Sequence, residues 1–221
     1  MTSKSIITDG DGCIYTSGSG YLSMDQLKLI DRNHRGIWKD IKNTFERDKK
    51  IDWESRISNL VEITCKYGVT FDDYVNSARR VVKASEVDKN LENFLRLVNP
   101  SEMIVFTLSG TEPMLLYVKE KIMPIIPDTR IMVGGTDLYY EADIPHRITG
   151  VRKMWGPCKR AEEAKELSKK GEAIIIGNDE CDIPMLRNGA LSIFLTKDKP
   201  RKEDNIFYTT MEKMSEYLRD L

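Results

Sequence analysis

The stretch Ser5-Ile6-Ile7-Thr8-Asp9-Gly10-Asp11-Gly12 decides how the rest of the chain is read. Its first four residues are a short apolar run of β type, and the Asp-Gly-Asp-Gly that follows stops it. Two carboxylates spaced i, i+2 at a strand end can divide labour. One attacks a phosphorus atom while also binding a cation; the other donates a proton to the leaving oxygen and later activates water. Glycines let the backbone turn and approach an anion closely. An ordinary solvated Asp-Gly turn has the same composition, so Asp9 and Asp11 need support from elsewhere in the chain.

Gly18 and Gly20 keep the next stretch loop-like, as in a flap. Residues 21–98 then show helical periods and no strong strand. Trp53, Ile57, Leu60, Val61 and Thr64 share one face, with Asp52 as N-cap and Gly68 as stop. Phe71, Tyr74, Val75, Ala78 and Val82 make a second stripe, and Val87, Leu91, Phe94 and Leu95 a third. Core packing accounts for such stripes, although a few of the aromatics are candidates to line a substrate pocket. Past Pro100 strands return at 103–108, 130–133, 173–176, 191–195 and 206–208. Helices are expected at 111–123, 158–170 (capped by Gly171) and 210–220, and a mixed segment at 136–156 can hold a hairpin. Alternating strands and helices predict an α/β fold, a Rossmann-like parallel sheet covered on both faces. The expected domains are an α/β core of 1–20 and 99–221 and an inserted all-helical domain of 21–98.

Composition narrows the chemistry. The 221 residues carry 34 Lys+Arg against 35 Asp+Glu, a formal charge of −1, so no global basic field draws the chain to nucleic acid or an anionic membrane. No apolar run approaches a membrane span. The four cysteines include no C-x-x-C pair, and nothing at the N-terminus reads as a signal peptide, so reduced thiols and a cytoplasmic location are expected. Only His34 and His146 are present, which disfavours a His-rich zinc site and limits any Ser-His-Asp triad. Carboxylates and oxygen-ligated cations remain as the chemical tools.

Ligands of an open parallel sheet collect beyond the carboxyl ends of its strands. Three further ends are informative here. Phe106-Thr107-Leu108-Ser109-Gly110 offers a hydroxyl and free backbone N–H groups running into a helix, where Ser109 and Gly110 can hold a phosphate. Lys159, opening the helix after Gly156-Pro157, sits unfavourably for the helix dipole unless its ammonium faces anions; Lys153 and Arg160 compete for that role. Gly177-Asn178-Asp179-Glu180-Cys181-Asp182 gathers side-chain oxygens suited to a hard cation such as Mg²⁺, with Asp182 also a possible helix N-cap. Each end has a bland reading. The set of four, in this order, matches the needs of phosphoryl transfer through an aspartyl-phosphate.

In motif order the chain resembles the haloacid dehalogenase (HAD) superfamily of phosphohydrolases, nearly end to end, and within it the phosphoserine/phosphoglycolate phosphatase-like members. Ile6 to Gly12 resembles the first motif, Val105 to Gly110 the second, Lys159 the third and "GNDECDIPML" from Gly177 to Leu186 the fourth. The block 21–98 is similar to the all-helical cap of the C1 type, and the gap between Ser109 and Lys159 is short for a separate large cap. The resemblance implies Asp9 as nucleophile, Asp11 as general acid and base, and Lys159 as stabiliser of Asp9 and the transferring group. Ser109 would contact the phosphoryl group. It also implies Mg²⁺ held by Asp9, Asp11 and the fourth motif, that is Asn178, Asp179 and Asp182. One departure stands out: Asn178 occupies the position where the fourth motif has its first Asp, and Asp179 follows where Gly is common.

The function expected is Mg²⁺-dependent hydrolysis of a small phosphorylated metabolite by a monomer or homodimer. A catalytically weak HAD-fold binding or regulatory protein is the alternative that Asn178 raises, and phosphomutase chemistry is a variant of the main reading. A receiver-like signalling domain also uses an Asp cluster and a lysine. The helical insertion and the second Asp at i+2 count against it.

Overall fold

The computed structural model describes residues 4–47, 52–169 and 172–220. Eight strands form one sheet: β1 (Lys4–Asp9), β2 (Glu102–Gly110), β3 (Arg130–Tyr140), β4 (Ile148–Lys153), β5 (Glu172–Gly177), β6 (Leu191–Leu195), β7 (Arg201–Glu203) and β8 (Ile206–Thr209). Their order is β4-β3-β2-β1-β5-β6-β8-β7. All neighbours from β3 to β8 are parallel, and antiparallel β4 and β7 close the two edges. The chain winds outward from β1 in one direction through β2 and β3, and in the other through β5, β6 and β8. The carboxyl end of β1, where Asp9 lies, is therefore the switch point of the sheet.

The alternation of side chains along each strand assigns residues to two faces. Ile6, Met103, Val105, Ile174 and Ile176 share one apolar cluster with helix α5 (Lys89–Val98) through Leu91, Phe94 and Leu95, and with Met214 of the terminal segment. Ile7, Ile104, Phe106 and Ile175 join the opposite cluster with Ala164 and Leu167 of α7 (Pro157–Ser168) and Met185 and Leu186 of α8 (Ile183–Leu186). Asp9 has the parity of Ile7. Its carboxylate must therefore leave the strand toward α7 and α8.

Between β1 and β2 the chain is helical. It forms α1 (Leu22–Ile30), α2 (Ile37–Arg47), α3 (Trp53–Lys66) and α4 (Phe71–Ala84), then α5. The expected signals operate locally. Asp52 caps α3 by accepting the Ser55 N–H at 2.8 Å, and Gly68 leaves it at φ +65°. Thr70 and Asp73 make a reciprocal capping box on α4. Residues of α1 to α4 pack together with Leu138, Tyr140 and Ile148 of β3 and β4. Helix α5 instead covers the sheet.

One further expectation holds and several elements differ. The mixed segment 136–156 is indeed a hairpin, because β3 continues to Tyr140 and pairs with β4. Helix α6 (Thr111–Tyr117) widens into a π turn at Val118–Ile122. Strand β7 is a three-residue, fully exposed edge with no apolar pattern to announce it. The C-terminal helix is of 3-10 type, Met211–Asp220. The proposed cap Gly171 and the end of its helix at Lys170 lie outside the described residues. No helix among those described is long and apolar enough to cross a membrane.

Phe94 is fully buried and Leu97, on the same helix, is 67% exposed. Phe94→Ala is expected to lower unfolding free energy by about 3–5 kcal/mol in urea titrations. Leu97→Ala should stay within about 0.5 kcal/mol of the parent. Equal effects would mean that α5 does not cover the sheet as described.

Candidate active site

The site begins with one buried cation. Helix α7 turns Arg160, Ala164 and Leu167 inward at i, i+4 and i+7. Arg160 Nη1 donates to Asp9 Oδ1 at 2.8 Å and to Asp182 Oδ1 at 3.2 Å, and its Nε donates to the Trp155 carbonyl at 2.9 Å. Its Nη2 is buried with no partner among the described residues. Burial acts to lower the Arg160 pKa, but the carboxylates of Asp9 and Asp182 outweigh it and raise it.

Lys159 does not take this place. It lies one residue, about 100° of helix, away from the inward stripe. Its ammonium is half exposed and meets Glu163 at 3.1 Å and Glu162 at 3.7 Å. The cation in contact with Asp9 is Arg160, while Lys159, expected to stabilise Asp9, meets Glu162 and Glu163 here. The signal was legible: counting back four and seven residues from the apolar Ala164 and Leu167 reaches 160. Lys153 is also outside, with its ammonium 4.5 Å from the Trp155 ring centre.

Asp9 is pushed well above the ordinary carboxylate range by burial, then by the Asp182 charge, against the pull of Arg160. Asp182 is fully buried, with both oxygens used: Oδ1 meets Arg160, and Oδ2 accepts the backbone N–H groups of Asn178 and Asp179 at 3.1 Å each. Asp182, expected among the cation ligands, here anchors Arg160 and the loop. Asp11 is raised by burial, opposed by hydrogen bonds. Its Oδ2 accepts the Ser109 hydroxyl at 2.6 Å and the Thr107 hydroxyl at 2.7 Å, and its Oδ1 accepts the Leu22 N–H at 2.7 Å.

Thr107 was not among the residues singled out, yet it sits where regular pairing of β2 stops: the strand is irregular between Phe106 and Gly110. The Ser109 N–H also donates to Thr107 Oγ1, at 2.9 Å. Ser109 thus reaches the site through an arc that a straight strand would not make. Gly110 caps α6, and a Cβ there would collide with the Tyr74 hydroxyl of α4; its small size serves helix packing.

Asn178 faces the Asp-Gly-Asp-Gly turn. Gly12 is at φ +78°, and a side chain there would strike the Asn178 amide nitrogen. The Asn178 amide oxygen accepts the Cys13 thiol at 3.1 Å. Burial pushes that thiol up, so it remains a donor. Asp179 is half buried, and its Oδ1 accepts the Cys181 N–H at 3.0 Å. Among the described residues no three His, Cys, Asp or Glu side chains form a ready cage for a metal. The donors are nevertheless hard oxygens, and three buried carboxylates face one guanidinium. That excess of negative charge fits a divalent cation held by a mixed set, namely the Asp9 carboxylate, the Asp11 carbonyl and the Asn178 amide oxygen, with Asp179 at the edge.

These groups floor a cavity of about 370 Å³ that also meets residues of α1, α2 and α3. The carboxylates, Ser109, Asn178 and Asp179 are thus brought together.

No family model matches the sequence, and no curated protein does. Solved structures do. A phosphoserine phosphatase from T. onnurineus, in complex with NDSB-201, aligns over 100% of this chain and 96% of its own, at 13% identity and TM-score 0.62. A probable phosphoserine phosphatase from Vibrio cholerae aligns over 87% of this chain at 11% identity and TM-score 0.59, and the match spans only 55% of that longer chain. A HAD phosphatase from Thermococcus onnurineus aligns over 97% of both chains at 13% identity and TM-score 0.54. The chain has the HAD phosphatase fold.

Removing Arg160 should expose its role in stability. Arg160→Leu leaves Asp9 and Asp182 buried without their cation and is expected to cost about 3–5 kcal/mol at pH 7. Both carboxylates have folded-state pKa values above their unfolded ones, so the folded state binds more protons and is relatively favoured as pH falls. The deficit measured by denaturant unfolding should therefore shrink as the pH is lowered toward the ordinary carboxylate range. Lys159→Leu should change stability by less than about 0.5 kcal/mol at any of these pH values.

Proposed function

We propose that this chain is a phosphomonoesterase that acts through an aspartyl-phosphate on Asp9. The observation that carries this reading is the placement of Asp9: a buried carboxylate at the switch point of a parallel sheet, held by a guanidinium, on the floor of a cavity. The fold shared with phosphatases supports it.

In the first step an Asp9 oxygen attacks phosphorus, and the bond from phosphorus to the leaving alcohol breaks. Asp11, whose carboxyl burial pushes upward in pKa, gives its proton to the departing oxygen. In the second step Asp11, now ionised, takes a proton from water. That water attacks phosphorus, and the bond to Asp9 breaks, returning both carboxyl groups to their starting states. The unpartnered Arg160 Nη2 is a donor available to a phosphoryl oxygen, and Thr107 and Ser109 orient Asp11. Mg²⁺, when bound by Asp9, the Asp11 carbonyl, Asn178 and Asp179, supplies positive charge that keeps Asp9 ionised and offsets charge on the transferring group. The neutral Asn178 makes this a weaker cation site than one with a carboxylate. We further propose that α1 to α4 form a cap unit over the site and that the substrate is a small phosphorylated metabolite handled in the cytoplasm.

Turnover of a generic aryl phosphate with Mg²⁺ should vanish in Asp9→Asn; wild-type turnover in that variant would remove Asp9 as nucleophile. Asp11→Asn should reduce kcat about 10²- to 10⁴-fold. Chelator should abolish activity and added Mg²⁺ restore it.

A further inference from the structure

The floor of the cavity is polar and its roof is not. Helix α3 presents Trp53, Ile57 and Leu60 at i, i+4 and i+7, so one face of the helix looks down on the carboxylates. Phe45, Met24 and Leu108 complete the apolar walls. Among the described residues, the acidic side chains that line the space are Asp9, Asp11 and Asp179, all on the floor. A leaving group that carried an ammonium would find no carboxylate among the described residues of the roof.

The one cation there, Arg56, is already occupied. Its guanidinium lies 4.5 Å from the centre of the Phe45 ring and 4.4 Å from that of Trp53. Its Nη2 donates to the Phe45 carbonyl at 3.4 Å. The two rings are 6.1 Å apart at 60°, in edge contact with each other, and the arginine packs beside both as part of one aromatic wall. Among the described residues its Nε–H is buried without a partner, so the group keeps donors of its own beside the two rings. A strongly polar or zwitterionic group in this space would lose its hydration without recovering matching bonds, whereas an apolar ring would exclude water from apolar walls.

We propose that the alcohol half of the substrate is an uncharged, ring-bearing apolar group that packs against Phe45, Trp53, Ile57 and Leu60 while its phosphate meets Asp9. This rests on the phosphomonoesterase reading above, and the test keeps the two apart. Three alkyl phosphates with similar leaving alkoxides are compared: 2-phenylethyl phosphate, O-phosphoserine and O-phosphoethanolamine. For the wild-type chain with Mg²⁺, kcat/KM should be at least about tenfold higher for 2-phenylethyl phosphate than for either polar ester, the scale expected for burying an aromatic side chain. Trp53→Ala should bring that ratio down toward one. Binding to Asp9→Asn, followed by calorimetry, should show the same order without turnover. Equal or better use of phosphoserine overturns the inference and leaves the phosphatase reading standing. If no ester is hydrolysed but Asp9→Asn still binds 2-phenylethyl phosphate at least about tenfold more tightly than phosphoserine, the inference about the roof survives and the phosphatase reading falls. Indifferent binding across the three overturns the inference in either case.

Discussion

A guanidinium buried between two carboxylates sets the geometry on which the reactive end of this sheet depends. Arg160 is 1% exposed, and it joins the end of β1, the loop after β5 and the backbone at Trp155. Burying an ion is expensive, and the attraction of its partners repays that cost only when the remaining donors are also used. Three contacts are made here, and the two N–H groups of Nη2 have no partner among the described residues. Arginine suits the position better than lysine would. It cannot lose its proton in a protein, so the positive charge beside Asp9 persists even as burial favours neutral carboxyl groups.

Trp155 shows how one cation was selected from three. Its ring stacks on Phe106, with centroids 5.4 Å apart, and its carbonyl takes the Arg160 Nε–H. Lys153 and Lys159 rest near the outer part of the same ring, at 4.5 and 5.9 Å from its centre. All three cations therefore surround one aromatic residue, and only the one on the inward stripe of α7 reaches the carboxylates. Sequence position relative to a helix start pointed to Lys159. The phase of the helix, set by Ala164 and Leu167, pointed to Arg160. Phase governs, because a side chain one residue out of register faces solvent.

The parts of the fold that follow from short-range rules were readable from the residues alone. The apolar strands, the Asp52 cap and the parallel sheet express alternation and capping, which act over a few positions. What was not readable depends on long-range register. Thr107 enters because β2 leaves its regular pairing after Phe106, and nothing in Phe-Thr-Leu-Ser-Gly marks that irregularity. Helix α5 covers the sheet even though its stripe looks like those of α3 and α4; the destination of an amphipathic face is a tertiary fact. Asp182 reads as a ligand in an acidic loop, but two backbone N–H groups and Arg160 consume it.

Asp11 joins the floor of the cavity to its roof. Tyr21, the residue preceding α1, makes no side-chain cap, and the Leu22 N–H is instead taken by Asp11 from across the flap. A helix N-terminus favours the ionised form of that carboxylate, as do the Ser109 and Thr107 hydroxyls. Burial opposes all three and prevails, so the acid keeps its proton at a higher pH than a free carboxyl. The balance depends on how α1 is seated, since Ser23 on its first turn also lies 2.9 Å from Ser109. An α1 that lifts away takes the Leu22 hydrogen bond with it and lets water in. The first change raises the pKa of Asp11 and the second lowers it. The proton affinity of the proposed general acid is thus a property of the seated helix as much as of the carboxyl group.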